Sequence, residues 1–296
     1  MADQAESLRK EVEAFEKQQN STRVITIASG KGGVGKSILA VNLGLRLAET
    51  GKKVTILDAD FGLANINVIL GILPKFTLYH VFKGEKNLGD ILIEVDDNFN
   101  IIAGAAGFFQ LANLETSKRE KLLEQMQTLD HNDYLIIDAG AGISENVINL
   151  MQSSDESIIV TTPEPTAITD AYGIIKTVSS LNKDQHEKDL KLNLVLNRVK
   201  NFLEAKKVSH KIQDIVEQFL DVKINYLGFI LDDPLVTSSV RAQEPFIKSY
   251  PNSKASFCVN NLVYSLTKSK PDQYNSGLVR FFKNFLGSLK GISTQI

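Results

Sequence analysis

The chain has 296 residues, with 43% hydrophobic and 23% charged residues and a net charge of −2. This length can bury one sizeable core, and α/β chains of this size commonly form one domain. The near-neutral charge gives no general attraction to nucleic acid. One cysteine, Cys258, excludes a disulfide framework or a cysteine-based metal set within one subunit. Without a signal-peptide pattern or an apolar run long enough to span a bilayer, we expect a cytoplasmic protein.

An amphipathic helix is predicted for residues 3–19, at the N-terminus. This stretch is rich in charged residues and glutamine, and it contains neither glycine nor proline. Its apolar residues recur at spacings of three and four and form one narrow stripe, made by Ala5, Leu8, Val12 and Phe15. We assign residues 1–20 to a separate N-terminal element, ahead of a domain that spans residues 21–267.

A phosphate-binding loop follows the first predicted strand. The pattern G-x-x-x-x-G-K-[ST] is satisfied over residues 30–37, and a helix is predicted over 37–50. In this strand–loop–helix arrangement, backbone N–H groups and the helix dipole face bound phosphate. Lys36 adds charge at the terminal phosphates, and the Ser37 hydroxyl can ligate Mg²⁺. The nucleotide-binding residues predicted here are Gly30, Lys31, Gly32, Gly33, Val34, Gly35, Lys36, Ser37 and Ile38.

Carboxylates stand at the ends of two further predicted strands. Asp58 ends one apolar run, with Asp60 two residues later, and Asp138 ends another. In an open α/β sheet, ligands bind at the carboxyl ends of the strands. We expect Asp138 to hold Mg²⁺ through water while Ser37 ligates it directly. The Ala-Gly-Ala-Gly run after Asp138 suits a loop that responds to the γ-phosphate.

The order of apolar runs predicts the fold. Helical stretches separate seven predicted strands, at residues 24–28, 53–58, 99–103, 134–138, 157–161, 192–197 and 224–230. Several are continuous apolar runs, which suit strands that helices cover on both faces. Alternating strands and helices imply right-handed crossovers. The predicted fold is therefore a single α/β domain with a mainly parallel, twisted sheet between two layers of helices.

A linker and a second amphipathic helix are predicted at the C-terminus. Residues 268–277 are polar and contain proline and glycine. Within the predicted helical element 278–296, the apolar residues of 278–292 occupy an arc of roughly 160° on a helical wheel. Residues 268–296 carry five basic side chains and one acidic one. Such a helix suits an anionic membrane surface, and docking on its own domain is the alternative. The predicted membrane-binding residues are Leu278, Val279, Phe281, Phe282, Phe285, Leu286, Leu289 and Ile292.

The phosphate loop contains a lysine beyond the one that its motif requires, and this lysine resembles a signature residue of a known ATPase family. Lys31 follows the first glycine, and this placement resembles the deviant loop of the MinD/ParA ATPases. The resemblance implies that Lys31 reaches the nucleotide of a partner subunit, that Asp60 activates the attacking water, and that Asp58 lies in the outer shell of Mg²⁺. Lys31, Lys36 and Asp60 are thus the predicted catalytic residues, and ATP/ADP and Mg²⁺ the cofactors. Ala139 stands where many members carry proline, a change that removes no ligand.

Two later loops are similar to the base-binding loops of MinD-like ATPases. Asn197 and Arg198 end one predicted strand, and Asp232, Asp233 and Pro234 follow another. The resemblance implies that these five residues enclose adenine, with the Asn197 amide at the edge of the ring. The N-K-x-D pattern that reads guanine in GTPases does not occur in the sequence.

The N-terminal element resembles one branch of the MinD/ParA ATPases in particular. Residues 3–9 look like the D-Q-A-x-x-L-R element of the FlhG (FleN/YlxH) family of flagellar-number regulators, which in that family stimulates the flagellar signal-recognition-type GTPase FlhF. The partner-binding residues implied are Asp3, Gln4, Ala5, Leu8 and Arg9. The other implied partners are a second copy of the chain, the anionic membrane, and flagellar switch (C-ring) proteins or a flagellar transcription regulator. No specific nucleic acid is expected.

Other functions stay open at this level. They are a ParA-type DNA-partitioning ATPase, a MinD-like regulator of the division site, and a non-catalytic module that acts through its N-terminal helix. DNA phosphates require cations but not eight aligned apolar residues, so the C-terminal pattern favours a membrane. The lone cysteine disfavours the nitrogenase-reductase branch, whose bridging cluster needs paired cysteines. We therefore expect an ATP-dependent dimerisation switch with slow turnover.

Overall fold

The computed structural model describes residues 22–60, 65–104, 125, 132–185, 190–268 and 281–285, with only the backbone described for 182–185. The predicted partner-binding residues lie outside this part of the chain: Asp3, Gln4, Ala5, Leu8 and Arg9. So do five of the predicted membrane-binding residues: Leu278, Val279, Leu286, Leu289 and Ile292. In the described ranges, no helix combines the length and the apolar character needed to cross a bilayer.

One sheet forms the centre of the described structure. Its strands are β1 (Arg23–Ser29), β2 (Val54–Ala59), β3 (Leu92–Asp96), β4 (Phe99–Ile102), β5 (Tyr134–Ala141), β6 (Glu156–Thr161), β7 (Leu192–Val199) and β8 (Ile224–Leu231). The spatial order is β3-β4-β2-β5-β1-β6-β7-β8. Neighbouring strands are parallel except β3, which is antiparallel to β4. The predicted α/β fold class is confirmed, and all seven predicted strands are present.

The prediction missed the strand β3. Its residues are half-buried or exposed, so it lacks the continuous apolar run that marks the central strands. Asp97 and Asn98 join it to β4, and Asn98 takes a left-handed conformation with φ 60° that suits a tight turn. β3 stands at the edge of the sheet, where polar residues such as Glu94 are tolerated.

Helices cover both faces of the sheet. They are α1 (Lys36–Glu49), α2 (Ile66–Ile69), α3 (Leu78–Phe82), α4 (Glu145–Ser153), α5 (Pro165–Gln185), α6 (Phe202–Leu220), α7 (Pro234–Ala242), α8 (Phe246–Ser249) and α9 (Lys254–Lys268). Side-chain caps begin several of them. The Ser144 hydroxyl accepts from the backbone of Val147 at α4, and Asn201 accepts from the backbone of Glu204 at α6.

Two hydrophobic cores result, one on each face of the sheet. Residues of α3, α4, α5 and α6 build the core of what we call the α5 face. Residues of α1, α2, α8 and α9 build the core of the opposite α1 face. Successive residues of a strand enter opposite cores, as Val24 and Ile25 do in β1. This two-sided burial is the reason for the continuous apolar runs of the central strands.

The described part of the C-terminal segment, residues 281–285, is helical and packs on the α5 face. Phe281, Phe282 and Phe285 are 0%, 2% and 1% exposed. The rings of Phe281 and Phe285 stack at 6.0 Å, and Phe282 meets Phe281 edge-on at 4.9 Å. These three predicted membrane-binding residues therefore take the docked position that the sequence left as the alternative. Each buried ring contributes about 1.5–3 kcal/mol, so release onto a membrane must replace this burial.

Candidate nucleotide-binding site

The phosphate loop lies at the carboxyl edge of the sheet, between β1 and the start of α1. Gly33 and Gly35 take left-handed backbone conformations, with φ of 76° and 92°. A Cβ on Gly30 would come within 2.1 Å of the Asp170 carbonyl oxygen, and one on Gly35 within 2.3 Å of Asn197 Nδ2. The loop is thus fitted closely between α5 and the end of β7, and only glycine is accommodated at these two positions.

Two adjoining cavities open at this edge and form one groove. A cavity of about 480 Å³ is lined by the phosphate loop from Gly32 to Ile38 and by Asp60. A cavity of about 430 Å³ is lined by the loops that follow β7 and β8. Gly35, Ile38, Arg198 and Val240 line both cavities, which therefore are continuous. The groove places the predicted phosphate-binding and base-binding loops side by side, as a nucleotide requires.

A buried ion pair forms the floor of the phosphate side. Lys36 Nζ lies 2.7 Å from Asp138 Oδ1, and the two side chains are 6% and 0% exposed. Burial raises the pKa of Asp138, and the neighbouring Lys36 opposes that rise. The other oxygen, Asp138 Oδ2, is buried without a hydrogen-bond partner. A buried carboxylate oxygen close to the Ser37 hydroxyl fits Mg²⁺, which prefers few protein oxygens together with substrate phosphates.

A second buried carboxylate, Asp58, faces the first. Asp58 is paired with Asp138 in the β2–β5 register and is 2% exposed. Burial, and next the charge of Asp138, raise the pKa of Asp58 to about 7. Its oxygens accept from the backbone N–H groups of Asp60 (3.1 Å), Asn65 (3.1 Å) and Ile66 (3.4 Å). Asp58 thus secures both ends of the loop after β2 and favours a cation nearby.

The carboxylates of this edge do not form a metal site by themselves in the part of the chain that the structure describes. In the described ranges, no group of three or more His, Cys, Asp or Glu side chains is placed to hold a metal ion. The predicted metal residues Ser37, Asp58 and Asp138 therefore suit an ion that nucleotide phosphates help to bind. Asp60, the predicted water-activating residue, lines the phosphate cavity, and the Asn65 amide donates to it at 3.4 Å. The prediction did not include Asn65.

The two loop lysines have different surroundings. Lys36 is buried, whereas the Lys31 side chain is 39% exposed and does not line either cavity. Lys31 Nζ donates to Thr166 Oγ1 at 2.8 Å and to Glu164 Oε2 at 3.3 Å. Neither Glu164 nor Thr166 was predicted. The available signal was their proline-flanked position directly after β6, because that loop must emerge at the same edge of the sheet.

The first base-binding loop also has a structural task. Asn197 Nδ2 donates to the Val34 carbonyl oxygen at 2.7 Å, and Asn197 Oδ1 accepts from the Arg198 backbone at 2.9 Å. The amide therefore ties the phosphate loop to the end of β7, while its contact with adenine stays a prediction. Arg198 is exposed, lines both cavities and has a left-handed φ of 56°. Such strain in a non-glycine residue is typical of functional positions.

The residues of the second predicted base-binding loop differ in whether they line the groove. Asp232 and Asp233 line the cavity of about 430 Å³, whereas Pro234 begins α7 and does not line it. Asp233 Oδ1 accepts from the Leu235 backbone at 3.0 Å, and Oδ2 accepts from the Ala255 backbone at 3.2 Å. Asp233 therefore caps α7 and holds the start of α9, so both of its oxygens are occupied in the fold.

Comparisons with known proteins agree with this site. A family model described as an AAA domain matches residues 22–192. The fold, the phosphate loop and the carboxylates at the strand ends together define an ATP-hydrolysing P-loop enzyme of the MinD/ParA type. The solved structure of the septum site-determining protein MinD complexed with Mg-ADP, from Pyrococcus horikoshii, has a TM-score of 0.66 and 26% identity. That match covers 86% of this chain and 99% of that structure.

Two relatives narrow the family. The antiactivator FleN of Pseudomonas aeruginosa is 36% identical over 235 residues, covering 79% of this chain and 82% of FleN. The flagellum site-determining protein YlxH of Helicobacter pylori is 33% identical over 283 residues, which cover 94% of each chain. This chain belongs to the MinD/ParA family of ATPases, in its FlhG (FleN/YlxH) branch.

Proposed function

We propose that this chain is an ATP-dependent dimerisation switch that regulates the number or placement of flagella. The description of FleN as an antiactivator and of YlxH as flagellum site-determining supports the flagellar role. The observation that carries the switch is the contrast between the two lysines of one loop. Lys36 is buried against Asp138, whereas the Lys31 side chain is 39% exposed, lines neither cavity and bonds to Glu164 and Thr166 of its own chain.

The nucleotide is held by the chain's own groups. Backbone N–H groups of the phosphate loop and the Lys36 ammonium bind the phosphates, which compete with Asp138 for that ammonium. Ser37 and Asp138 would hold Mg²⁺, with the Asp58 carboxylate near them, and a bound ion would neutralise phosphate charge. The Asp60 carboxylate accepts a hydrogen bond from the attacking water and orients it, and the Asn65 amide positions Asp60.

In this proposal, dimerisation depends on Lys31. Lys31 exchanges Glu164 and Thr166 for the phosphates of the other subunit's nucleotide. A ligand shifts an equilibrium only through contacts that differ between the two states, and the γ-phosphate supplies such a contact. Hydrolysis removes it, so Lys31 returns to its own chain and the subunits separate.

Size-exclusion chromatography with light scattering tests this step. An Asp60→Ala variant, which lacks the carboxylate proposed to orient the attacking water, should be dimeric with ATP and monomeric with ADP. Adding Lys31→Ala should abolish the dimer. Lys52→Ala is the matched control, because Lys52 is a similarly exposed lysine that pairs with Asp133 far from the loop, and it should leave the dimer intact. A chain that stays monomeric with ATP, or a dimer indifferent to Lys31, would refute the switch.

Membrane association is proposed through the C-terminal helix. The docked phenylalanines Phe281, Phe282 and Phe285 would leave the α5 face when ATP-bound subunits pair, and the basic tail would then bind anionic lipid. Flotation of the full chain with anionic vesicles, in ATP and in ADP, measures this release. Retardation of DNA without vesicle binding would instead favour a ParA-type function.

The N-terminal element is proposed to stimulate an FlhF-type GTPase. Deleting residues 1–20 should abolish stimulation of the GTPase and leave the chain's own ATP hydrolysis unchanged. Substituting Gln4 or Arg9 within the full chain separates a specific contact from a general loss of the segment. C-ring proteins and a flagellar transcription regulator are further proposed partners, and pull-down of each purified candidate with ATP and with ADP tests them.

A further inference from the structure

One side of the last long helix is exposed and carries aromatic and basic side chains. Its residues lie within about 100° of arc at 100° per residue, and we call them the α9 stripe: Lys254, Phe257, Asn261, Tyr264, Ser265 and Lys268. Phe257 is 64% exposed and Tyr264 is 59% exposed. The opposite side of the helix is buried in the core of the α1 face. Packing inside the described domain therefore leaves these two large rings in solvent.

All charged side chains of α9 are basic. The helix contains no acidic residue, and a lysine stands at each end of the stripe, Lys254 and Lys268. The Lys268 ammonium lies 4.2 Å from the centre of the Tyr264 ring. Aromatic rings with a polar edge and lysines with long apolar stems are the residues that occupy the boundary between lipid and water. The stripe is thus complementary to an anionic surface with an apolar interior.

The α9 stripe ends close in sequence to the proposed membrane-binding helix at the C-terminus. Arg23, at the start of β1, donates to the Leu266 carbonyl oxygen at 2.9 Å, which fixes the last turn of α9 at the amino-terminal edge of the sheet. Lys268 precedes the described helical residues 281–285 by thirteen positions in the sequence. Whatever that helix binds, its tether to the domain is Lys268, the last residue of the stripe.

We propose that the α9 stripe is a second lipid-binding surface, which lies on anionic headgroups when the C-terminal helix has inserted. This inference rests on the proposed membrane association and adds a defined orientation to it. Two lipid contacts on one protein bind more tightly than either contact alone, because the first contact holds the second surface near the membrane at high effective concentration.

A single tryptophan makes the stripe directly observable. The chain contains no tryptophan, so a Phe257→Trp variant has one reporter. With ATP and vesicles containing phosphatidylglycerol, its emission should shift to the blue, and brominated lipid should quench it. The matched control is Phe219→Trp. Phe219 is equally exposed, at 65%, but lies on α6 of the opposite face, so its emission should remain that of a tryptophan in water.

Affinity measurements complete the test. The double variant Phe257→Ser with Tyr264→Ser should bind vesicles about tenfold more weakly, and Lys268→Gln about fivefold more weakly. Phe219→Ser and Lys206→Gln, on α6, should bind as the unaltered chain does. All of these side chains are exposed, so the fold is retained.

The outcomes separate the two proposals. If the unaltered chain does not float with anionic vesicles, membrane association fails and the stripe fails with it. If the chain floats while the emission of the Phe257→Trp variant stays aqueous and the double variant binds normally, only the stripe is overturned. A blue shift with ATP in the absence of lipid would mean that a second copy covers the stripe. Emission that is already blue without ATP or lipid would mean that the chain's own residues cover it. Either result overturns the proposal.

Discussion

Asp58→Asn should make the protein more stable and less active. Asp58 is 2% exposed and faces Asp138, and burial together with that charge raises its pKa to about 7. An acid whose pKa is raised on folding destabilises the fold wherever it is ionised. The neutral amide has the same shape and avoids this cost. It also removes the negative charge that Mg²⁺ requires nearby, so ATP hydrolysis should fall sharply.

The magnitude follows from the pKa and the hydrogen bonds. A rise of the Asp58 pKa from 3.8 to about 7 corresponds to ~4 kcal/mol, at 1.36 kcal/mol for each unit. Asparagine has one acceptor oxygen, while Asp58 uses one oxygen for the Asp60 backbone and the other for Asn65 and Ile66. Losing an acceptor costs about 2 kcal/mol. The net gain is about 2 kcal/mol, or a melting temperature higher by about 4–8 °C.

The sign of the pH dependence provides the assay. Above about pH 7, Asp58 is ionised in both states and the gain from asparagine is complete. Between about 7 and 3.8, the folded carboxylate takes up a proton before the unfolded one does, so the wild type recovers its lost stability and the gain shrinks. Urea unfolding with chelator and no nucleotide, near pH 8 and near pH 5, measures this. Asp214→Asn, at an exposed position on α6, is the control. A variant that is equally or less stable near pH 8 would refute the reasoning.

Two further predictions concern the phosphate loop. Glu164→Gln should tighten the ATP-dependent dimer about twofold, because an exposed pair such as that with Lys31 is worth about 0.5 kcal/mol; analytical ultracentrifugation with ATP would show it, and a weaker dimer would mean that Glu164 acts in the paired state. Gly30→Ala should abolish nucleotide binding, measured by calorimetry, and lower stability by at least about 2 kcal/mol, because its Cβ would lie 2.1 Å from the Asp170 carbonyl oxygen. Gly32→Ala, with nothing closer than 4.0 Å, should be mild, and equal effects of the two would contradict this packing argument.

Much of the site was predictable because it depends on local pattern. The loop from Gly30 to Ser37 and the carboxylates Asp58 and Asp138 are short motifs at the ends of apolar strands. Parallel strands bring their carboxyl ends to one edge, so these groups had to meet there. The contacts of Asn197 and Asp233 were not predictable. Both side chains bond to backbone groups far away in the sequence, Val34 and Ala255, and a sequence pattern contains no such distances.

The sequence by itself thus determined the α/β class, seven of the eight strands that the structure describes, and the phosphate loop. Tertiary structure alone decided which surfaces the apolar residues cover. Helical periodicity shows that Phe281, Phe282 and Phe285 lie on one side of a helix. It does not show whether that side packs on a protein core or enters a lipid bilayer, because burial of apolar surface is favourable in both and is not directional. Likewise, only packing leaves Phe257 and Tyr264 in solvent while their helical neighbours enter the core, and only the fold brings Lys31 to Glu164.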